Sequence, residues 1–504
     1  MSRVIASAAT STSRWHIGFL ALAGALLGLR LAPTWAFVVD DTYIPARYAA
    51  HLLEGDGLRY SLGLPLIEGF TSPLWVALLA VSSALGVGVH TAATSLGVLG
   101  GLLGLGAVWM LARALGAGRW AVLAPLLLAL EPHYAAVTTN GLESSLFIAA
   151  IGWALAAVLL GWGRVAGVAL AMLVLLRPEG IALAVLIALW PAPVGRSLRL
   201  AAVGGPSAAL ILGRLVYYGS LLPNTAAARV HDPWMVRAIH NLGTLEALWW
   251  HWLAVALALV VGLGLARRRG ALLVGLAAST LLAAASLVYW WMPAARLLVP
   301  VVALSAAALA AGSRALPRRA ALATCGGLAA LMLLGPQGSV VLAGVKRDAM
   351  LPGNPAELAA RHLGGQLAPD AWVALRDAGA FAWAMGTDVR VLELHPRALS
   401  LPHPQGLDAT LPDGIPEAPE IVLVTHRRVD ALRSAFPEDE AWLRARPAAY
   451  VWLGRVRQHQ HRAYDLYARA ELSLEPLPPE LLLATPIPEL AGRVAMPPGR
   501  RNSE

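Results

Sequence analysis

Two adjacent carboxylates, Asp40 and Asp41, open a polar stretch (residues 40–72) that directly follows the first apolar segment. A third acid, Glu68, stands near the end of this stretch. Ionised carboxylates beside a membrane helix cost free energy unless they face water, a partner or a substrate. Two interpretations therefore stay open. The acids mark the point where a helix leaves the bilayer, or they carry out acid–base chemistry at the membrane surface.

Charged residues also interrupt the apolar sequence further along the chain. Arg177 and Glu179 flank a proline, Glu143 follows Asn-Gly-Leu, and Arg296 stands just before an apolar run. The planar guanidinium fork suits phosphate, so Arg296 and then Arg177 are the candidates for binding a phosphate group. The alternatives are an arginine that reaches the lipid headgroups at 296 and a structural Arg177–Glu179 ion pair.

The composition predicts an integral membrane protein with a smaller soluble part. Of the 504 residues, 58% are hydrophobic and only 14% are charged, whereas a soluble domain carries about 25% charged residues. The formal net charge is +9, but the arginines lie between apolar runs instead of in one block. This spacing indicates loops that set membrane topology, and it argues against a nucleic-acid partner.

Several cofactor classes are disfavoured. The chain has no P-loop and no dinucleotide-binding glycine fingerprint, which argues against a nucleotide cofactor, a nucleotide-sugar donor or an ATP-driven pump. The single cysteine, Cys325, excludes an intramolecular disulfide and a multi-cysteine metal site. The adjacent Asp40 and Asp41 can hold a divalent cation such as Mg²⁺ or Mn²⁺ through oxygen ligands.

The elements that position these residues are long apolar segments. Residues 1–345 contain enough of them for about ten or eleven membrane spans of about 20 residues each. The count is open at 73–112, which can make two passes, or one pass with a surface or re-entrant helix. Arginine clusters at 267–269 and 314–319 predict cytoplasmic turns. Asp40, Asp41, Arg296 and the chain after 345 then fall outside.

A small extracytoplasmic α/β domain is predicted for residues 346–475, where prolines and charges become frequent. A Pro-rich, partly disordered tail is predicted for 476–504. Asp377-Ala378-Gly379-Ala380 is either a tight strand-to-helix turn or a family motif. The predicted strands are 372–375, 389–394, 421–424 and 450–453, and the predicted helices between them include 355–363 and 427–435.

Residues 38–75 resemble the first extracytoplasmic loop of GT-C glycosyltransferases, polytopic enzymes that use polyprenyl-phosphate sugars. The stretch is most similar to the mycobacterial terminal arabinofuranosyltransferases and their bacterial relatives. The residues that carry the resemblance are Asp40-Asp41, Tyr43-Ile44, Arg47-Tyr48-Ala49, Gly55, Gly57, Glu68-Gly69-Phe70-Thr71-Ser72 and Leu74-Trp75, followed by Gly141-Leu142-Glu143, Arg177-Pro178-Glu179-Gly180, Tyr218-Gly219, Leu222-Pro223-Asn224-Thr225 and Arg296.

The resemblance implies a polytopic α-helical membrane protein of the GT-C type in the bacterial inner membrane, with an extracytoplasmic active site. The implied reaction moves a sugar, by best guess arabinofuranose, from polyprenyl phosphate to a cell-envelope glycan, a lipid-linked glycan or a protein. The resemblance carries the catalytic carboxylate to Asp40 and Asp41 without saying which one dominates. We favour Asp41 as the base, with Asp40 as its partner or a metal ligand. The implied substrate-binding residues are Glu68, Arg47, Tyr43, Glu143, Arg177, Glu179, Tyr218, Asn224 and Arg296.

Two departures from the arabinofuranosyltransferase pattern put the sugar in doubt more than the fold. Residues 64–67 are largely apolar, and Ser144-Ser145 stands where Thr-Pro is common. A transporter or flippase for a lipid-linked or small-molecule substrate is the alternative function, because many spans with interrupted helices fit it too. The acidic outer loop and the soluble domain argue for the enzyme.

Overall fold

The structure is a computed structural model, and it combines a helical bundle with one small mixed sheet. It describes residues 14–193, 195–224, 235, 241, 249–266, 269–286, 295–348, 350–376, 379–393, 418–426, 443, 450–458 and 462–483. The predicted helix at 427–435, Asp377-Ala378 and the tail after 483 lie outside these residues.

The helices of the first part of the chain are, in order, α1 Arg14–Leu31, α2 Tyr43–Glu54, α3 Pro73–Ala84, α4 Val89–Ala114, α5 Leu123–Leu130, α6 Pro132–Thr139, α7 Ser144–Leu160, α8 Gly163–Leu176, α9 Pro178–Leu189, α10 Arg196–Tyr218, α11 Trp249–Ala266, α12 Arg269–Ser286, α13 Val299–Gly312, α14 Arg318–Leu334 and α15 Gln337–Asp348.

Four helices in the described part of the chain are long and apolar enough to cross a membrane, and the number is six if each of two bent pairs forms one span. Further apolar helices of 10–17 residues lie among them. The predicted ten or eleven spans stay a prediction. Within 73–112, α3 has 12 residues and α4 has 26. By length only α4 can cross alone, because a span needs about 20 residues.

The predicted apolar run 120–137 is divided into two helices that meet at 65°. Proline has no N–H to donate, and it disfavours helical backbone in the residue before it. Glu131 accordingly is extended (φ −74°, ψ 117°), and Pro132 begins α6. The same rule acts at Arg177 (φ −156°, ψ 146°), where Pro178 begins α9. These two prolines leave Glu131 and Arg177 at breaks between helices.

Side-chain hydrogen bonds hold α6 and the start of α7 against α4. The Tyr134 hydroxyl donates to the Gly101 carbonyl at 2.7 Å, and the Ser145 hydroxyl donates to the Gly97 carbonyl at 2.7 Å. Both hydroxyls are buried, where an unpaired polar group is costly. The turn between α6 and α7, which carries Glu143, is thereby held in place from both sides.

The second part of the chain forms a five-stranded mixed sheet. Its elements are α16 Pro355–Gly364, β1 Trp372–Leu375, α17 Ala380–Met385, β2 Arg390–Glu393, β3 Ile421–His426, β4 Tyr450–Arg457 and β5 Ala463–Arg469. The strand order is β2-β1-β3-β5-β4. β1 pairs in parallel with β2 and β3, whereas β5 pairs antiparallel with β3 and β4.

All four predicted strands are confirmed within a few residues, and the predicted helix at 355–363 is α16. The strand β5 was not predicted. Its sequence, Ala-Tyr-Asp-Leu-Tyr-Ala-Arg, places a charged aspartate among apolar residues, and this aspartate is buried on the sheet. Its charge is matched by Arg455 on the neighbouring strand, whose Nε lies 2.8 Å from Asp465 Oδ1. A pairing partner on another strand cannot be seen in the local pattern.

Arg47 on α2 joins the two parts of the chain. Its side chain is fully buried, and its guanidinium donates only to backbone carbonyls. One bond, at 2.8 Å, goes to Tyr60 in the loop after α2. The others run to the second part of the chain, at Ala382, Gly386, Thr387 and Val389. The planar, five-donor guanidinium is suited to such a set of acceptors.

Replacing Arg47 by lysine should loosen this junction. Lysine has three donors for five carbonyl acceptors, so at least two carbonyls lose their partner. With about 1–3 kcal/mol for each buried polar group left unsatisfied, we expect a loss of about 2–6 kcal/mol in stability. The measurements are the apparent Tm in detergent and the rate of protease cleavage in the second part of the chain.

The control for this prediction is Arg390→Lys. Arg390 also belongs to the sheet part, but it is partly exposed and pairs with the exposed Asp370, so its replacement should change stability by less than about 1 kcal/mol. Equal Tm values for the two variants would contradict the joining role of Arg47.

Candidate active site

Arg296 interacts electrostatically with four charged side chains from three other parts of the chain. Arg177 Nε lies 2.7 Å from Glu179 Oε1, and Arg177 Nη1 lies 3.7 Å from Glu143 Oε1. The guanidinium of Arg296 is close enough to interact electrostatically with Arg177 and with three carboxylates, those of Glu143, Asp41 and Glu179. We refer to Asp41, Glu143, Arg177, Glu179 and Arg296 as the charge centre.

Burial is the main influence on the charge of Arg296. It lowers the pKa of the guanidinium, and the positive charge of Arg177 acts in the same direction, whereas the three carboxylates oppose the shift. A guanidinium stays protonated despite such a shift, because its ordinary pKa is above 12. Arg296 lies at the turn just before α13, and its guanidinium interacts electrostatically with the Asp41 carboxylate.

A close backbone contact brings Glu143 to the segment that carries Asp41. Val39 N and the Thr42 hydroxyl both donate to the Asn140 carbonyl at 3.1 Å. The next residue, Gly141, has a left-handed backbone (φ 80°), and a Cβ there would lie 2.3 Å from Thr42 Oγ1. Only glycine suits such a position. The Gly-Leu-Glu motif thus has a physical reason: it lets the turn before α7 contact residues 38–42.

Arg177 is held in a fixed orientation. Besides its two acidic partners, it lies over the ring of Phe147 at 5.4 Å from the ring centre. The helix break at Pro178 directs its side chain toward α7, from which Phe147 projects. A guanidinium held on three sides keeps its position without a bound ligand, so little ordering entropy is lost when an anion binds.

Asp40 and Asp41 have different surroundings although they are adjacent. Asp40 accepts backbone N–H bonds from Gly379 at 3.0 Å and from Ala380 at 2.8 Å. A Cβ at Gly379 would lie 2.1 Å from the Asp40 carbonyl oxygen, so glycine is needed for this approach. Asp40 therefore binds the start of α17 and attaches the sheet part of the chain beside the charge centre.

Glu68 forms a buried bidentate ion pair that joins the first loop to α10. Arg214 donates from Nε to Glu68 Oε2 at 2.6 Å and from Nη2 to Oε1 at 3.0 Å. Burial raises the pKa of the Glu68 carboxyl, and the bonds from Arg214 act against this rise. Both carboxylate oxygens are therefore already bonded within the protein.

Three other predicted substrate-binding residues also make internal contacts. The Tyr218 hydroxyl donates to the Leu58 carbonyl at 2.8 Å. The backbone N–H of Asn224 donates to the Glu68 carbonyl at 3.0 Å. Tyr43 is buried beside Trp383, with ring centres 6.4 Å apart, and burial raises its pKa. These contacts shape the first loop and connect it to α10 and to the sheet part.

The predicted site residues thus separate into two groups. Asp41, Glu143, Arg177, Glu179 and Arg296 come together in the charge centre. Arg47, Asp40, Glu68, Tyr43, Tyr218 and Asn224 make contacts that build the loop and its junctions. Arg47 differs most from its predicted substrate-binding role. Its fully buried guanidinium bonds to five carbonyls, so it has no donor left for a sugar.

Two participants were not found from the sequence. Arg214 lies inside an apolar helix, 146 positions from its partner Glu68, and a buried arginine on a candidate span was the signal that could have identified it. The backbone N–H groups of Gly379 and Ala380 bind Asp40 from more than 300 positions away. Backbone donors have no side-chain signature.

Replacing Arg214 by methionine should destabilise the protein strongly. The variant leaves the Glu68 carboxylate buried without its counter-charge, which costs about 3–5 kcal/mol. The double variant Glu68→Gln/Arg214→Met removes both charges, so we expect it to be more stable than Arg214→Met alone. Apparent Tm values in detergent give the comparison.

The matched control is Arg361→Met, which breaks the exposed Arg361–Glu357 pair. Surface pairs contribute about 1 kcal/mol or less. A double variant no more stable than the Arg214→Met single variant would show that the ion pair is not what Arg214 contributes.

Comparisons with known proteins complete the description. No protein-family model matches the chain, and no curated protein matches it in sequence. Solved structures do match. ArnT from Cupriavidus metallidurans, crystallised with bound undecaprenyl phosphate, superposes with a TM-score of 0.62 over 92% of this chain and 100% of ArnT, at 16% identity.

Two other solved structures agree. The oligosaccharyltransferase of Archaeoglobus fulgidus, tethered to an acceptor peptide, matches with a TM-score of 0.52 over 77% of this chain and 65% of its own, at 14% identity. The arabinofuranosyltransferase AftD from Mycobacteria matches with a TM-score of 0.50 over 91% of this chain and 42% of its own, at 20% identity. All three are GT-C glycosyltransferases. The chain has the GT-C glycosyltransferase fold.

Proposed function

We propose that the chain is a membrane glycosyltransferase that moves a sugar from a polyprenyl phosphate to an acceptor hydroxyl, with Asp41 as the catalytic base. The observation that carries the proposal is the charge centre, where Asp41, a carboxylate at the start of the first loop, interacts electrostatically with Arg296, which in turn interacts with Arg177. The fold supports it, since ArnT has this fold and was crystallised with undecaprenyl phosphate.

The proposed reaction is a displacement at the anomeric carbon of the donor sugar. The acceptor hydroxyl oxygen attacks this carbon while Asp41 takes the hydroxyl proton. The bond between the anomeric carbon and the phosphate oxygen breaks, and its electron pair leaves with the polyprenyl phosphate. One bond to oxygen forms and one breaks, so the step needs no oxidant, reductant or nucleotide.

Arg296 and Arg177 stabilise the phosphate as its charge grows. Fixed positive groups directed at developing charge contribute more in a site screened from water than they do in solution. Arg177 is already held by Glu143, Glu179 and Phe147, so we assign it the contact that orients the phosphate. Arg296, which is partly exposed, is the arginine that contacts the leaving phosphate directly. Glu143 and Glu179 bind sugar hydroxyls with the oxygens that Arg177 does not engage.

The Asp40–Asp41 pair fits a Mg²⁺ or Mn²⁺ ion poorly. Both oxygens of Asp40 accept bonds from backbone N–H groups, and the charge of Asp41 acts on Arg296. A divalent cation between them would lie near a guanidinium of the same sign. We therefore assign the charge of the leaving phosphate to the arginines, and we assign Asp40 the role of positioning Asp41.

The finer parts of the proposal rest on the sequence. The resemblance of residues 38–75 to the arabinofuranosyltransferases favours arabinofuranose as the donor sugar, and the acceptor is a cell-envelope glycan, a lipid-linked glycan or a protein. The arginine-rich turns favour a multi-pass protein of the bacterial inner membrane, with the charge centre and residues 346–475 outside.

Asp41→Asn should abolish transfer without unfolding the protein. Asparagine keeps the size of the side chain but cannot accept a proton from the acceptor. We expect kcat to fall by at least about 100-fold, with little change in donor affinity. The assay follows release of polyprenyl phosphate by purified protein offered polyprenyl-phosphate arabinose or polyprenyl-phosphate mannose with a membrane glycan extract.

Asp40→Asn gives the contrast, since Asp40 also binds Gly379 and Ala380. This variant should lower the apparent Tm as well as kcat, whereas Asp41→Asn should lower kcat alone. Full turnover by Asp41→Asn would exclude it as the base. If the unmodified protein releases polyprenyl phosphate from neither donor, the donor carries a sugar other than arabinose or mannose.

Arg296→Met should weaken catalysis through the phosphate. Loss of one fixed donor from a developing charge typically costs about 100-fold in rate, so we expect kcat/KM for the donor to fall by at least about that factor. Competitive inhibition by polyprenyl phosphate should weaken in parallel. Arg164→Met is the matched control, because Arg164 is an exposed arginine at the start of α8. Equal inhibition of both variants would remove Arg296 from the phosphate site.

A transporter or flippase remains the competing function, and the two bent helix pairs are the feature that it would explain. Proteoliposomes that hold a fluorescent polyprenyl-phosphate sugar separate the two. Transfer of the sugar without transbilayer movement supports the enzyme, and movement without bond cleavage supports the transporter.

A further inference from the structure

A second cluster of ionisable groups lies at the break between α5 and α6. Glu131 occupies the break itself, His133 is the second residue of α6, and His251 lies in the first turn of α11. The three side chains are at most 2% exposed. None of them belongs to the charge centre, and the proposed transfer reaction does not use them.

The three side chains converge on a small volume. His133 Nδ1 lies 2.6 Å from Glu131 Oε1, and His251 Nε2 lies 3.4 Å from the same oxygen. The two imidazole rings are stacked, with centres 4.9 Å apart and planes inclined by 22°. One ligand atom from each residue can be chosen so that all three lie within 4.8 Å of one another.

Among the residues that the structure describes, two polar atoms of this cluster find no hydrogen-bond partner. They are Glu131 Oε2 and His251 Nε2, and both are inaccessible to solvent. Buried polar atoms are nearly always bonded, so unpartnered ones need an explanation. Within the described part of the chain, Glu131 forms its ion pairs with the two histidines alone. A histidine balances a buried carboxylate only while it is protonated, whereas a bound metal ion supplies a fixed positive charge.

We propose that Glu131, His133 and His251 bind a divalent transition-metal ion of the zinc type. Two imidazole nitrogens and one carboxylate oxygen form a ligand set that Zn²⁺ accepts, with a fourth position left for water. Ligands at about 2.0–2.1 Å from a tetrahedral ion lie ~3.3 Å apart, close to the 3.4 Å between His251 and Glu131. The 2.6 Å between His133 and Glu131 would have to open.

A metal ion here would join the broken helix pair to α11. Pro132 removes one backbone donor at the break, and the ion would replace that lost connection with bonds from both sides of it. α6 then leads to the turn at 140–143, which carries Glu143. The ion would therefore have a structural role, because it would fix the helix that leads to Glu143. The test of this site does not depend on the proposed reaction.

Metal content tests the proposal without an activity assay. The full chain, purified without a polyhistidine tag, is incubated with ZnCl₂, desalted and analysed by mass spectrometry of the metal. We expect about one tightly held Zn²⁺ ion per chain. Glu131→Gln and His251→Gln should each lower the bound metal at least about tenfold. Retention of the metal by both variants would overturn the proposal, as would an unmodified chain that binds none.

A further variant separates metal binding from folding. His251→Cys supplies a different zinc ligand, so it should retain the ion that His251→Gln loses, and visible absorption of Co²⁺-loaded protein should then show a thiolate ligand. Retention of the metal by His251→Gln, or a Co²⁺ spectrum of His251→Cys without a thiolate band, would mean that His251 is not a metal ligand and that the cluster is a hydrogen-bonded network. Glu54→Gln is the control, because Glu54 belongs to the partly exposed cluster of His51, Glu54 and Asp56, and it should leave the metal content unchanged.

Discussion

Charge buried in an apolar bundle is the constraint on which this structure depends. An ion that leaves water costs several kcal/mol unless bonds and counter-charges replace the solvent. Arg47 meets the requirement with backbone carbonyls, and Arg214 meets it with a carboxylate. Arg177 combines two acids with an aromatic ring. Each of these arginines bonds to segments that are distant in sequence. The contacts that compensate a buried charge therefore also hold the tertiary structure together.

The same constraint separates residues that serve the architecture from residues available to a ligand. A guanidinium with every donor bonded internally, such as Arg47, has no capacity left for substrate. Arg296 differs, since it is partly exposed and its electrostatic neighbours include another arginine. The charge centre groups two guanidiniums, whose positive charges repel, among three acids. Such an arrangement is a reasonable way to hold an anionic substrate, and perturbed charges of this kind concentrate at functional sites.

Much of the fold could be predicted because it depends on local patterns. The apolar segments, the helix near 355–363 and the short buried strands follow from periodicity and from Gly and Pro positions. The acidic pair and Arg-Pro-Glu-Gly pointed to the centre where Asp41, Arg177 and Arg296 meet. The roles of Arg47 and Asp40 could not be predicted, because their partners are backbone groups more than 300 positions away. The cluster of Glu131, His133 and His251 could not be predicted, because His251 comes from a helix about 120 positions later.

The attachment of Asp40 has a mechanical consequence. Asp40 bonds to the first residues of α17, and consecutive Cα atoms are about 3.8 Å apart, so a rotation of the sheet part is passed to Asp41 through one peptide unit. Catalytic geometry tolerates little displacement, since an error of about 1 Å can cost about 100-fold in rate. A displacement of the sheet part therefore changes the position of Asp41, the base in the proposed reaction. Whatever contacts the outer surface of the sheet can alter turnover without touching the reacting groups.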